Sequence, residues 1–256
     1  MDKKLILAGV FGIAVVGAIA FLASGGGKTR PLDHHVILAS VSDSDACTCS
    51  CIVGIAQEIL NKHDYKTDLL IELFQSGNSA TANEPVRLGS PIKIFSGNQA
   101  MEVGGDRIKN QKRDALTAIR SACEKMQVKD VSPIYISSKA MVEHLRNSSC
   151  NIPDSRCHAW IASDLEETEE PGLVDAINGK DRGRPLPPKL VNASIEVTMC
   201  GMDQTIGKVK DRNNRDTWKT KKRDAQHVDL ITKLWSSQFT NPTAVEIRHF
   251  CPEAEN

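Results

Sequence analysis

Aromatic side chains are scarce in this chain: three Trp, two Tyr and six Phe, 4% of 256 residues. With so few large rings, Val, Ile, Leu, Ala and Met must fill the core. Net charge is missing too. The 32 Lys and Arg cancel the 32 Asp and Glu, so the whole molecule has no built-in attraction for nucleic acid or anionic lipid. There is no repeat of fixed period and no low-complexity tract long enough to form a disordered tail. A phosphate-binding loop and a dinucleotide glycine motif are absent after the first predicted strand. No nucleophile sits beside a positioned base, which argues against a hydrolytic or thiol-based enzyme. Eight cysteines are more than usual but far too few for a disulfide scaffold of this length.

What is present begins with an apolar run. Residues 5–23, LILAGVFGIAVVGAIAFLA, carry no charge. As a helix rising about 1.5 Å per residue the run spans roughly 28 Å, close to a bilayer's hydrocarbon thickness. Gly25, Gly26 and Gly27 follow as a flexible tether. The run is expected to be a signal anchor that stays in the membrane. A cleaved secretory signal is the alternative, with Ala18-Ile19-Ala20 as a small-residue cleavage site. Lys3 and Lys4 precede the run, while Lys28 and Arg30 follow it. The positive-inside bias is therefore nearly balanced, and the short basic amino terminus slightly favours an extracytoplasmic domain. Cys150 and Cys157 flank six residues and would close a small disulfide loop in such a compartment.

Beyond residue 30 the periodicity alternates. Strands are expected at 36–39, 69–74, 92–95, 158–162, 191–199 and 244–250, and helices at 47–60, 104–127, 139–146 and near 228–235. The helix at 104–127 has the strongest stripe: Ala115, Leu116, Ile119, Ala122, Cys123 and Met126. Strands alternating with helices predict a doubly wound, mostly parallel α/β sheet covered on both faces. Residues 1–30 form the anchor and tether, and 31–256 form a single domain.

Three pieces place oxygen ligands at strand ends or loops. Ser40, Ser42 and Ser44 alternate where the first strand stops. Ser132 lies in the loop Val131-Ser132-Pro133-Ile134, and Asp164 follows the buried strand at 158–162. In a doubly wound sheet these strands can be neighbours, and their carboxyl edge is where such folds bind ligands. Hydroxyls with a carboxylate suit magnesium, manganese or calcium.

This pattern resembles the von Willebrand factor type A domain and its metal-ion-dependent adhesion site. Ser40-Val41-Ser42-Asp43-Ser44 matches that family's first motif, Asp-x-Ser-x-Ser, with serine in place of the leading aspartate. Ser132 before Pro133 resembles the loop threonine, and Asp164 the aspartate after the fourth strand. The resemblance implies a protein-binding module in which a partner's acidic side chain completes a cation's coordination. The serine at position 40 removes one negative charge and weakens such a site, unless Asp43 or Asp45 compensates. Two outcomes stay open: a bound cation, or a degenerate site in which Ser42 and Ser44 cap the following helix.

Other features read as structural. Cys47, Cys49 and Cys51 lack a second pair at zinc-ligand spacing and are expected to be small packing residues. Residues 207–224 hold eight Lys or Arg against three acids, with Asn213 and Asn214 at a loop tip. A solvated loop is expected there, because only Trp218 is available to stack on a base. Glu166, Glu167, Glu169 and Glu170 form an acidic run beside Asp164. A membrane-tethered module that binds protein rather than nucleic acid follows, with a metal-free scaffold as the alternative and an enzyme less favoured.

Overall fold

The structure, a computed structural model, describes residues 31–40, 49–64, 66–77, 85–95, 105–126, 133–180, 182–202, 204–210 and 216–254. The apolar run 5–23 and Ser42, Asp43, Ser44, Asp45 and Ser132 lie outside these residues. Among the described residues no helix is long and apolar enough to cross a membrane.

Strand β1 (Leu32–Ala39) lies at the centre of the sheet. It pairs in parallel with β2 (Asp68–Gln75) on one side and with β5 (Arg156–Ala162) on the other. Two short strands, β3 (Val86–Arg87) and β4 (Ile92–Ile94), pair antiparallel with β2 and close that edge. Beyond β5 come β6 (Ile195–Cys200) and β9 (Val245–Arg248), both parallel. The order is β3-β2-β1-β5-β6-β9, with β4 also on β2. This is a doubly wound, mostly parallel sheet with an antiparallel edge, as the alternation of strands and helices predicts.

A continuous apolar strand is buried on both faces, and β1 illustrates it. Val36 and Leu38 point to one face, where α3 (Ile134–Ser148), α4 (Pro171–Ile177) and α5 (Ala225–Ser237) cover them. Ile37 and Ala39 point to the other, under α1 (Cys49–Lys62) and α2 (Gly105–Cys123). The six-residue stripe expected on α2 all packs into this second core. Gly54 on α1 is required by a close approach: a Cβ there would meet the Pro252 carbonyl oxygen at 2.1 Å.

Several elements differ from the sequence expectation. The strand expected at 191–199 begins only at Ile195, because the Ile195 amide bonds back to the Asn192 carbonyl in a turn. Helix α3 starts at Ile134 rather than at 139, directly after Pro133. Strand β3 is two residues long and α4 seven, too short for a periodic signal. The basic stretch expected to be a loop is largely a hairpin, β7 (Gln204–Lys210) against β8 (Asp216–Lys222).

The cysteines also differ. Cys49 is not a free packing residue: it pairs with Cys123 and ties α1 to α2. Cys200 pairs with Cys251, and Cys150 with Cys157 as the sequence suggested. Cys51 is free, and Cys47 lies outside the described residues. The first two bridges are separated by 74 and 51 residues. In the chain-entropy description, closing loops of that size stabilises the fold by about 4 kcal/mol each.

Candidate functional site

The adjacency of β1 and β5 brings two of the predicted positions to one rim. Ala39 is in register with Ala162, and the Ser40 amide donates to the Ala162 carbonyl at 3.0 Å. The two chains thus leave the sheet side by side at its carboxyl edge. Ser40 and Asp164 are both fully buried there. Ser76, at the end of the neighbouring β2, donates from its hydroxyl to Ser40 Oγ at 3.4 Å.

The turn after β5 is tight. Ser163 Oγ accepts from the Leu165 amide at 3.0 Å, and Asp164 Oδ1 accepts from the Glu166 amide at 3.1 Å. Leu165 adopts φ of 60°, which is strained for a residue with a branched side chain. Its side chain is buried, and its carbonyl accepts from the Trp235 indole at 3.0 Å. Packing against α5 therefore holds the turn that presents Asp164.

A positive group already faces that carboxylate. Arg223, between the hairpin and α5, has a side chain only 5% exposed. Its Nη2 lies 3.2 Å from Asp164 Oδ2 and 3.1 Å from Glu166 Oε1. Its Nη1 donates to the Asp164 carbonyl and, at 2.9 Å, to the Met202 carbonyl. His227 reaches Glu166 Oε1 at 2.8 Å from the other side. The guanidinium thus spans two carboxylates and two carbonyls, a set of oxygens that would otherwise invite a cation.

Of the five expected oxygen ligands only Ser40 and Asp164 are among the described residues. Position 40 supplies a neutral hydroxyl. A doubly charged ion placed about 4 Å from the Arg223 charge would meet repulsion on the order of 8 kcal/mol at an effective dielectric near 20.

Behind this rim, Glu167 organises the start of α3. It is buried, and its Oε2 accepts from the Tyr135 amide at 2.6 Å. Its Oε1 accepts from the amides of Thr168, Glu169 and Glu170. Burial raises the Glu167 pKa, against the pull of these four backbone bonds. The acidic run is therefore not one solvated face: Glu166 is tied to Arg223, and Glu167 caps a helix.

A second polar cluster lies within the sheet, away from the rim. Glu72 on β2 is 4% exposed and meets His34 of β1 and His144 of α3. Burial pushes its carboxyl up, but the hydrogen bonds from His144 and His34 outweigh burial and hold it well below the usual range. On the opposite face His35, His158 and Trp160 stack. The His158 and Trp160 ring centroids are 4.5 Å apart, and the Arg248 guanidinium lies 5.3 Å from the indole centroid. Sequence reasoning missed both clusters, whose members are brought together by strand pairing and, for His144, by the packing of α3 on the sheet.

No family model matches the sequence, and no curated protein matches it. Solved structures do resemble it. The conserved hypothetical protein BatB from Bacteroides thetaiotaomicron is 10% identical, with a TM-score of 0.44 over 85% of this chain and 90% of that one. An aerotolerance-related membrane protein from Bacteroides fragilis, crystallised with multiple mutations to serine, is 10% identical, with a TM-score of 0.42 over 88% and 92%. The manganese-loaded TRAP protein of Plasmodium vivax is 12% identical, with a TM-score of 0.37 over 66% and 57%.

Proposed function

We propose that this chain is a membrane-tethered, protein-binding module of the type A kind, and that Arg223 takes the place of a divalent cation at its binding rim. The observation that carries this reading is the buried guanidinium on Asp164, fixed by Glu166 and two backbone carbonyls. In this arrangement the rim keeps its shape without metal. A partner protein docks on the loops after β1 and β5, flanked by the hairpin β7–β8. Residues 5–23 supply the tether, and the three disulfides among the described residues support a domain in an oxidising compartment.

The test uses the full chain in detergent. Magnesium or calcium is expected to give no heat that depends on Asp164. Partner capture is expected to be equal with and without chelator and lost in Arg223→Ala. Arg223→Lys keeps the charge but not the planar fork, and should recover only part of the binding. Calcium or magnesium heat that disappears in Asp164→Asn would return the site to the cation reading and overturn the guanidinium one.

A further inference from the structure

We infer that His34, Glu72 and His144 form a binding site for a transition-metal dication of the zinc class. The three ligand atoms lie within 4.8 Å of one another. His34 Nε2 is 2.8 Å and His144 Nε2 2.7 Å from the same carboxylate oxygen, Glu72 Oε2. Two imidazoles and one carboxylate are the donor set that zinc prefers, whereas magnesium and calcium require more oxygens. The site stands apart from the rim at Asp164, and neither proposal depends on the other.

The fold supplies the surrounding shell. His34 Nδ1 is 2.5 Å from Ser149 Oγ. With metal on Nε2, the Nδ1 proton is donated to that hydroxyl, which fixes the tautomer and the ring plane. Ser149 is held in turn. It directly precedes Cys150, whose disulfide reaches Cys157, and Cys157 is the β5 residue in register with His34. Arg87 Nη2 takes the other Glu72 oxygen at 2.5 Å, so Oε2 alone turns toward the two rings. The rings of His34 and His144 stand edge to face, at 80° with centroids 6.0 Å apart.

Access and room are also provided. His34 and Glu72 are buried, but the His144 side chain is 32% exposed. An ion enters past His144 and keeps one position open to water. Metal–ligand bonds of about 2.0–2.1 Å in tetrahedral geometry place ligand atoms roughly 3.3 Å apart. The nitrogen–oxygen distances must open by about half an ångström: the partly exposed His144 ring rotates, and the Glu72 carboxylate turns away from His34. The competing possibility is a purely hydrogen-bonded cluster, with both Nε2 atoms donating to Glu72.

Zinc chloride titration of the chelator-stripped full chain by calorimetry separates the two. One zinc per chain is expected, with a proton release that varies with buffer. Cobalt should give visible absorption bands of a four-coordinate site. His144→Ala, at the partly exposed position, should abolish the stoichiometric site without unfolding the domain. Ser149→Ala should weaken binding about 10-fold while retaining one site. Absence of stoichiometric zinc binding, or binding that survives unchanged in His144→Ala, overturns the inference. Neither result bears on Arg223.

Discussion

Glu167 shows how much one side chain can carry at this rim. Its carboxylate accepts four backbone N–H groups, one of them from the first turn of α3. Removing it leaves the buried Tyr135 amide without that acceptor and uncaps the helix. Glu167→Ala is therefore expected to lower stability by about 2–3 kcal/mol, read from urea denaturation. Glu167→Gln keeps an acceptor oxygen and should recover part of that loss. A change within half a kcal/mol for Ala would mean that the amides find water instead. Arg223 works at the same scale: its fork reads two carboxylates and two carbonyls at once, which a lysine cannot reproduce.

At the scale of elements, the pairing of β1 with β5 builds a pH-sensitive stack. His35 is held at about 3 by burial and by the nearby His158, and His158 at about 4 by burial and by Arg248. The Trp160 indole donates to His35 Nδ1 at 3.2 Å, a bond that requires a neutral ring. Both folded values lie below the unfolded value near 6.5. The unfolded chain therefore takes up protons that the folded one refuses as pH falls below about 6.5. Stability present at pH 7.5 is lost progressively toward pH 4, on the order of 2 kcal/mol per ring at pH 5. The urea midpoint should fall between pH 7.5 and 5, and His158→Gln should flatten that slope. Imidazole resonances of these two residues that titrate near 6.5 in the folded protein would contradict this account. Asp33 acts in a lower window. Burial raises its carboxyl, but bonds from His63 and Arg156 prevail and hold it at about 2. Its contribution is complete above the unfolded value near 4 and disappears as pH approaches 2.

At the scale of the whole molecule, the disulfides and the apolar run at 5–23 bear on the same question of side. Three bridges among the described residues are what an oxidising compartment favours. The proposed anchor at 5–23, with the amino terminus in the cytoplasm, would place the domain outside. In sealed, right-side-out vesicles, added protease should digest the domain from outside, and a thiol-alkylating reagent should modify Cys51 and Cys47 at most. Full protection of the domain from protease would reverse the orientation. Fewer than three bridges in the oxidised protein would remove its support.

The doubly wound sheet was readable because its signals are local. Runs such as Val36 to Ala39, and the stripe from Ala115 to Met126, commit each segment to strand or helix by their own period. The polar break after β1 and Asp164 after β5 likewise marked where two neighbouring strands leave the sheet. Tertiary structure alone decided what faces Asp164. Arg223 ends a stretch whose composition resembles a solvated loop, and only the hairpin's return to α5 brings its charge under the rim. The same holds for Cys49 with Cys123 and for His34, Glu72 and His144. These partners lie on different elements tens of residues apart, so no local pattern links them. Periodicity records which face of an element is buried. It carries no information about which other element will cover that face, and the charge and ligand chemistry of this protein arise at those junctions.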